Sequence, residues 1–138
     1  MRSWRIDVLG VPVDGVTMPE AVDAVDELIS AETPQAIVAV NPEKVIRAQD
    51  NPNLLEFLRT AALLIPDGIG IVFAARILKL GCMERVPGSE LMPAICERAA
   101  SRGYRVFLFG ASPEVNAGAV EVLRRRYEGL QIVGHQHG

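Results

Sequence analysis

A chain of 138 residues, 49% of them hydrophobic and 22% charged, is one domain's worth of sequence and long enough to bury a substantial core. Its charges are interspersed and sum to -3, which removes the electrostatic ground for nucleic acid as a partner. Two cysteines, Cys82 and Cys96, are too few for a disulfide framework or a structural zinc site and fit a reducing, cytoplasmic setting.

The amino terminus has no apolar run behind its basic residues, so no signal peptide is expected. Ile6 to Val13 alternates and turns at Gly10, Asp14 and Gly15, which predicts a small β-hairpin. Thr17-Met18-Pro19-Glu20 has the form of a capping box, and Ala21, Val22, Val25, Leu28 and Ile29 recur behind it at helical spacing. Ala36 to Val40 is an unbroken apolar run that ends at Asn41-Pro42, as a strand buried on both faces does when it feeds a helix with proline at its first position.

Asn51-Pro52 restarts a helix through Arg59, and Ala61 to Ile65 is a second core strand closed by Pro66-Asp67-Gly68. Ile69 to Leu80 reads as a helix with Gly81 in the left-handed position at its end; Ser89 caps another, which Gly103 stops. The stretch from Ala61 to Leu80 is the most apolar in the chain, but its prolines and glycines break it well short of a membrane span. Mean hydropathy of +0.22 fits either a buried parallel sheet or an apolar face that takes a partner.

Tyr104 to Phe109 is a third core strand, Gly110-Ala111-Ser112-Pro113 turns it into a helix reaching about Tyr127, and Leu130 to Val133 begins a fourth. Strands alternating with helices in this way predict an α/β fold: a Rossmann-like open parallel sheet with helices on both faces, plus the small N-terminal hairpin. With no linker or repeat in view, residues 1–138 are expected to form a single domain.

In such sheets ligands bind beyond the carboxyl ends of the strands, where helix amino termini direct their amides outward. Three segments meet that condition: Asn41-Pro42-Glu43, Pro66-Asp67-Gly68-Ile69-Gly70 and Gly110-Ala111-Ser112. Asp67 reads either as a general base or as a capping aspartate, and the glycines beside it would let a substrate approach the backbone. Asn41 reads as a ligand to a sugar or as an ordinary strand-to-helix turn, and Arg85 as a diphosphate clamp or a solvated cation.

Gly68 and Gly70 do not complete a dinucleotide fingerprint, and no Gly-Lys-Ser/Thr follows Gly110, so neither a nicotinamide cofactor nor ATP hydrolysis is expected. His135 and His137 supply too few ligands for a defined metal site. Arg124-Arg125-Arg126 reads as a lipid-facing patch or as a solvated helix face.

Taken in order, Val40-Asn41-Pro42-Glu43-Lys44-Val45, Ile65-Pro66-Asp67-Gly68-Ile69-Gly70, Glu84-Arg85-Val86-Pro87-Gly88, Phe107-Leu108-Phe109-Gly110 and Gly129-Leu130-Gln131-Ile132-Val133-Gly134 resemble the WecG/TagA/CpsF family, glycosyltransferase family 26. The resemblance implies inverting transfer of an N-acetylhexosamine, of the ManNAc or ManNAc-uronate type, from a UDP-sugar. The acceptor would be a polyprenyl-diphosphate-linked sugar at the inner membrane face, in teichoic acid or other cell-envelope polysaccharide synthesis. It implies Asp67 as the base and Asn41 and Arg85 in the nucleotide-sugar site, with no cofactor or metal; Gly68, Gly88 and Gly110, the last a phosphate-loop candidate, are placed with them as substrate-binding residues.

Two departures accompany it. Ala39 stands where the family commonly has a threonine, and the family pattern continues beyond Gly138. The chain is therefore read as a shortened member, with a catalytically incomplete nucleotide-sugar-binding or scaffolding module as the alternative and self-association through an exposed sheet edge as an expectation.

Overall fold

The computed structural model describes residues 4–138. In chain order they form β1 (Trp4–Val8), β2 (Val11–Gly15), α1 (Met18–Ser30), β3 (Ile37–Val40), α2 (Pro42–Gln49), α3 (Pro52–Thr60), β4 (Leu63–Pro66), α4 (Ile69–Ile77), α5 (Gly88–Arg102), β5 (Arg105–Phe109), α6 (Pro113–Arg126) and β6 (Gln131–Gln136). The fold is α/β as expected. β1 and β2 form the antiparallel hairpin, while β3 with β4 and β5 with β6 form parallel pairs. Contacts group the chain into two compact units, Met1–Leu91 and Met92–Gly138, each taken separately below.

In the first unit the hairpin turns through Leu9 and Gly10, both at positive φ, which is the two-residue geometry that matches strand twist. Val11 and Val13 of β2 are fully buried and share one core with Val40, Val45, Leu58, Leu64 and Ile71. The capping box closes as written: the Thr17 amide donates to Glu20 Oε2 at 2.7 Å and the Glu20 amide to Thr17 Oγ1 at 3.4 Å. Asn41 and Asn51 cap α2 and α3 by accepting from the Lys44 and Leu54 amides, each with proline next in the chain.

Asp14 is not a turn residue. It lies in β2, 1% exposed, and its carboxylate accepts from Arg5 Nε at 2.7 Å, Arg5 Nη2 at 2.8 Å and the Leu64 amide at 2.8 Å. The third bond explains its placement. Leu63 and Asp67 direct their amides to β3, so the Leu64 amide faces the opposite edge of β4, where Asp14 meets it. Arg5 also donates to Ala62 O at 3.3 Å, and the hydrogen bond to Asp14 raises its guanidinium above its ordinary value.

Two element boundaries differ from the sequence expectation. α4 stops at Ile77 and Lys79, not Gly81, closes it at φ +54°, with Leu80 N donating to Ala75 O and Lys79 N to Arg76 O in a Schellman arrangement. α5 begins at Gly88, so Ser89 sits inside its first turn and is not the cap. Two strands are less buried than expected: in β3, expected to be buried on both faces, Ile37, Val38 and Ala39 are half-buried, and in β5 Val106 and Leu108 pack toward α5 and α6 while Phe107 and Phe109 are exposed.

In the second unit Cys96, Ala99, Val120, Leu123, Leu130 and Ile132 make the core, and burial pushes the Cys96 thiol up, away from reactivity. Arg125 pairs with Glu121, Arg124 donates to Ile132 O, and Arg126 lies over the Tyr127 ring, so the arginine run is occupied within its own unit.

Asp14→Ala leaves the Leu64 amide buried without an acceptor and Arg5 without its partner. It is expected to lower unfolding free energy by about 3 kcal/mol, read by denaturant titration. A loss within about 0.5 kcal/mol would show that the triad does not hold the hairpin. A second test concerns pH. The Thr17 bonds hold the Glu20 carboxyl below its ordinary value, so the capping box contributes above the unfolded carboxyl range and is lost as pH falls through the lower folded value. The stability gap between Thr17→Ala and the parent is expected at neutral pH and shrinks on acidification.

Candidate functional site

The carboxyl ends of β3 and β4 are bonded to each other: Asp67 N donates to Val40 O at 2.9 Å. Asn41 and Asp67, the next residues along each strand, are thereby neighbours on one rim. Pro66 ends β4 where it has no amide to contribute to the ladder, and its carbonyl accepts from Val86 N at 2.8 Å. That bond draws the 81–87 loop to the strand end. As a result Gly88 N, the first amide of α5, reaches Asp67 Oδ2 at 3.2 Å.

Asp67 therefore caps a helix, but not its own. Gly68 stands at the start of α4 with φ +99° and no side-chain cap, while the Asp67 carboxylate serves α5, whose positive dipole end favours an anion there. The carboxylate is half-buried, and among the described residues its Oδ1 takes no hydrogen bond. One oxygen is fixed and the other is open.

Gly88 sits close to this contact, with neighbours at ordinary van der Waals distance. A side chain there would start 3.4 Å from the Ala39 Cβ and 3.5 Å from Asp67 Oδ2, so Ala39, Asp67 and Gly88 meet at one point. Gly70 has a different reason from the one expected: its added Cβ would fall 2.6 Å from Pro42 Cγ, so it serves the packing of α4 against the start of α2. Gly68 supplies the positive φ of the turn.

Asn41 spends its Oδ1 on the Lys44 amide at 2.8 Å and keeps its Nδ2 as a donor. Arg85 is exposed on the loop that Val86 anchors, and among the described residues it has no ion-pair partner. Sequence reasoning passed over Lys44, whose Nζ donates to Ala39 O at 2.6 Å across the outer edge of β3. Its cue was available: a cation in the first turn of a helix opposes the dipole and needs a compensating partner. Asn41, Glu43, Lys44, Arg47 and Leu54 line a cavity of about 290 Å³ beside this rim. A larger one, about 430 Å³, lies at the end of α1 among Leu28, Ile29, Glu32, Thr33, Gln35 and Ile37, at the start of β3 and so at the end of the strand opposite this rim.

In the second unit Gly110 has φ +112° and donates to Gln136 O, and Ser112 caps α6. Buried Asn116 donates through Nδ2 to Gly110 O at 3.0 Å and Gln136 O at 3.1 Å, joining the ends of β5 and β6. Its Oδ1 is 2.6 Å from His135 Nδ1, which must then carry the proton. His135 is thus part of a strand-end clamp.

A family profile described as Glycosyl transferase WecG/TagA/CpsF family matches residues 6–138. Among similar proteins, an N-acetylglucosaminyldiphosphoundecaprenol N-acetyl-beta-D-mannosaminyltransferase of Staphylococcus aureus (strain MRSA252) is 34% identical over 139 residues, covering 99% of this chain and 54% of the relative. The protein of the same name from Staphylococcus aureus (strain NCTC 8325 / PS 47) gives the same identity and coverage. The chain spans about half the length of the curated relatives it matches.

The cap geometry separates structure from chemistry at Asp67. Asp67→Asn retains an oxygen for the Gly88 amide and is expected to stay within about 1 kcal/mol of the parent, whereas Asp67→Ala costs about 1–2 kcal/mol. Thermal unfolding of both variants reads this; equal losses would show that Gly88 does not depend on the side chain.

Proposed function

We propose the following chemistry for this chain, which belongs to the WecG/TagA/CpsF glycosyl transferase family: transfer of an N-acetylhexosamine from a UDP-sugar to a sugar linked to a polyprenyl diphosphate, with inversion at the anomeric carbon. The supporting observation is the Asp67 carboxylate at the end of β4, with Oδ2 fixed by the Gly88 amide and Oδ1 open beside Asn41. The names of the Staphylococcus aureus relatives favour N-acetylmannosamine as the transferred sugar and an N-acetylglucosamine diphosphoundecaprenol as the acceptor.

In this reading Asp67 Oδ1 takes the acceptor hydroxyl proton as that oxygen bonds to the anomeric carbon, and the bond from the anomeric carbon to the UDP oxygen breaks. UDP leaves as an anion. Arg85 meets its diphosphate bidentately, without recourse to a divalent cation, and Asn41 Nδ2 donates to the donor sugar or base. Gly68 and Gly88 keep the rim free of side chains that would bar the substrates. In the second unit the α6 amino terminus offers amides to an anion, and Gly110, its own amide held by Gln136 O, supplies the positive-φ turn ahead of it. The 138 residues would be part of one transferase domain working peripherally at the inner membrane face.

Ala39 favours a second reading. Its methyl faces Gly88 beside Asp67, where a threonine would add a hydroxyl to the site. A chain lacking that hydroxyl would bind nucleotide sugar without turnover.

Calorimetric titration with UDP and UDP-N-acetylhexosamines decides between them. The parent is expected to bind, Arg85→Ala to weaken binding about tenfold or more, and Asp67→Asn to bind normally while losing turnover by about 100-fold or more. Binding without turnover in the parent selects the second reading, and no binding by folded protein overturns both.

A further inference from the structure

Residues 69–81, Ile-Gly-Ile-Val-Phe-Ala-Ala-Arg-Ile-Leu-Lys-Leu-Gly, carry two cations and no carboxylate in a chain of net charge -3. Helical spacing divides α4 into two faces. Ile71 and Ala75 are buried in the core of the first unit, whereas Ile69 is 60%, Phe73 52% and Ile77 75% exposed on the opposite side. Leu78, 48% exposed, extends this surface past the helix end, and Arg76 and Lys79 flank it, both exposed. Unlike Arg125 of α6, neither has an ion-pair partner among the described residues.

We propose that this face of α4 docks on an anionic lipid surface, with Ile69, Phe73 and Ile77 in the headgroup and acyl boundary and Arg76 and Lys79 on lipid phosphates. The charge pattern suits an anionic surface: an apolar stripe with basic residues beside it and no acid within residues 69–81. A second copy of the chain fits less well. The four apolar side chains expose roughly 450 Å², about half of what one partner contributes to a standard protein interface. A two-fold pairing through this stripe would also bring its cations together.

The inference deepens the proposed function and rests on it for its purpose. α4 starts two residues after Asp67, so a helix lying in the headgroup layer holds the β4 rim at the depth of a lipid-linked diphosphate. The acceptor would then reach Asp67 without leaving the bilayer.

Cosedimentation of the full chain with vesicles tests it, comparing pure phosphatidylcholine with a phosphatidylcholine and phosphatidylglycerol mixture. The parent is expected to partition onto the mixed vesicles. The pair Phe73→Ser with Ile77→Ser, both on exposed positions and checked for folding by circular dichroism, should lower that partition about tenfold. Arg76→Gln and Lys79→Gln should each lower it about fivefold on mixed vesicles and leave neutral vesicles unaffected. The proposal is overturned if the parent ignores both vesicles, if the serine variant binds as the parent does, or if that variant changes only the mass measured by light scattering. UDP titration of the same variants without vesicles reports the donor site separately, so loss of one reading leaves the other standing.

Discussion

One buried carboxylate organises the first unit. Asp14 takes three donors at 2.7–2.8 Å, two from Arg5 within the hairpin and one from the Leu64 amide of β4. A parallel strand with only one neighbour leaves every second amide without a partner, and in a protein interior that costs about 1–3 kcal/mol each. The hairpin meets this need with a side chain rather than with a third ladder. β4 is then held on three sides: β3 by its ladder, Asp14 by its carboxylate, and Val86 by the bond to Pro66 O at the end. Asp67 follows directly, and its position is inherited from that restraint.

Much of this was readable from residue order. Asn41-Pro42 and Asn51-Pro52 act as caps because an asparagine oxygen and a ring without an amide suit the first turn of a helix, and that depends on neighbours in sequence alone. The capping box of α1 and the parallel strands share this local origin. What could not be read is what arrives from a distance. Asp14 looked like a turn residue because its meaning comes from Leu64, fifty positions on. Ser89 looked like a cap because nothing nearby says that Asp67 supplies that service across 21 residues. Lys79 in the left-handed region defied the preference for glycine because the hydrogen bonds of the Schellman end and the half-buried Leu80 behind it compensate a modest backbone cost.

Asp67 also shows that the two readings of a rim aspartate are compatible. Capping uses one oxygen and proton transfer needs one, so a carboxylate held by an amide through Oδ2 is oriented rather than consumed. Such an arrangement couples the start of α5 to the chemistry, because any shift of Gly88 turns the carboxylate with it.

The contact between Gly70 and Pro42 has a consequence for descent. Because a side chain at 70 would begin 2.6 Å from the proline ring, these positions are not free to vary independently. A larger residue at 70 is admissible only in a background where 42 has already lost its ring, and that loss removes the stiffened start of α2 behind Asn41. Each single step is disfavoured, so a lineage reaching the double change must cross a less fit intermediate. The spacing between Asn41 and Asp67 thus rests on this steric coupling as well as on the bond from Asp67 N to Val40 O.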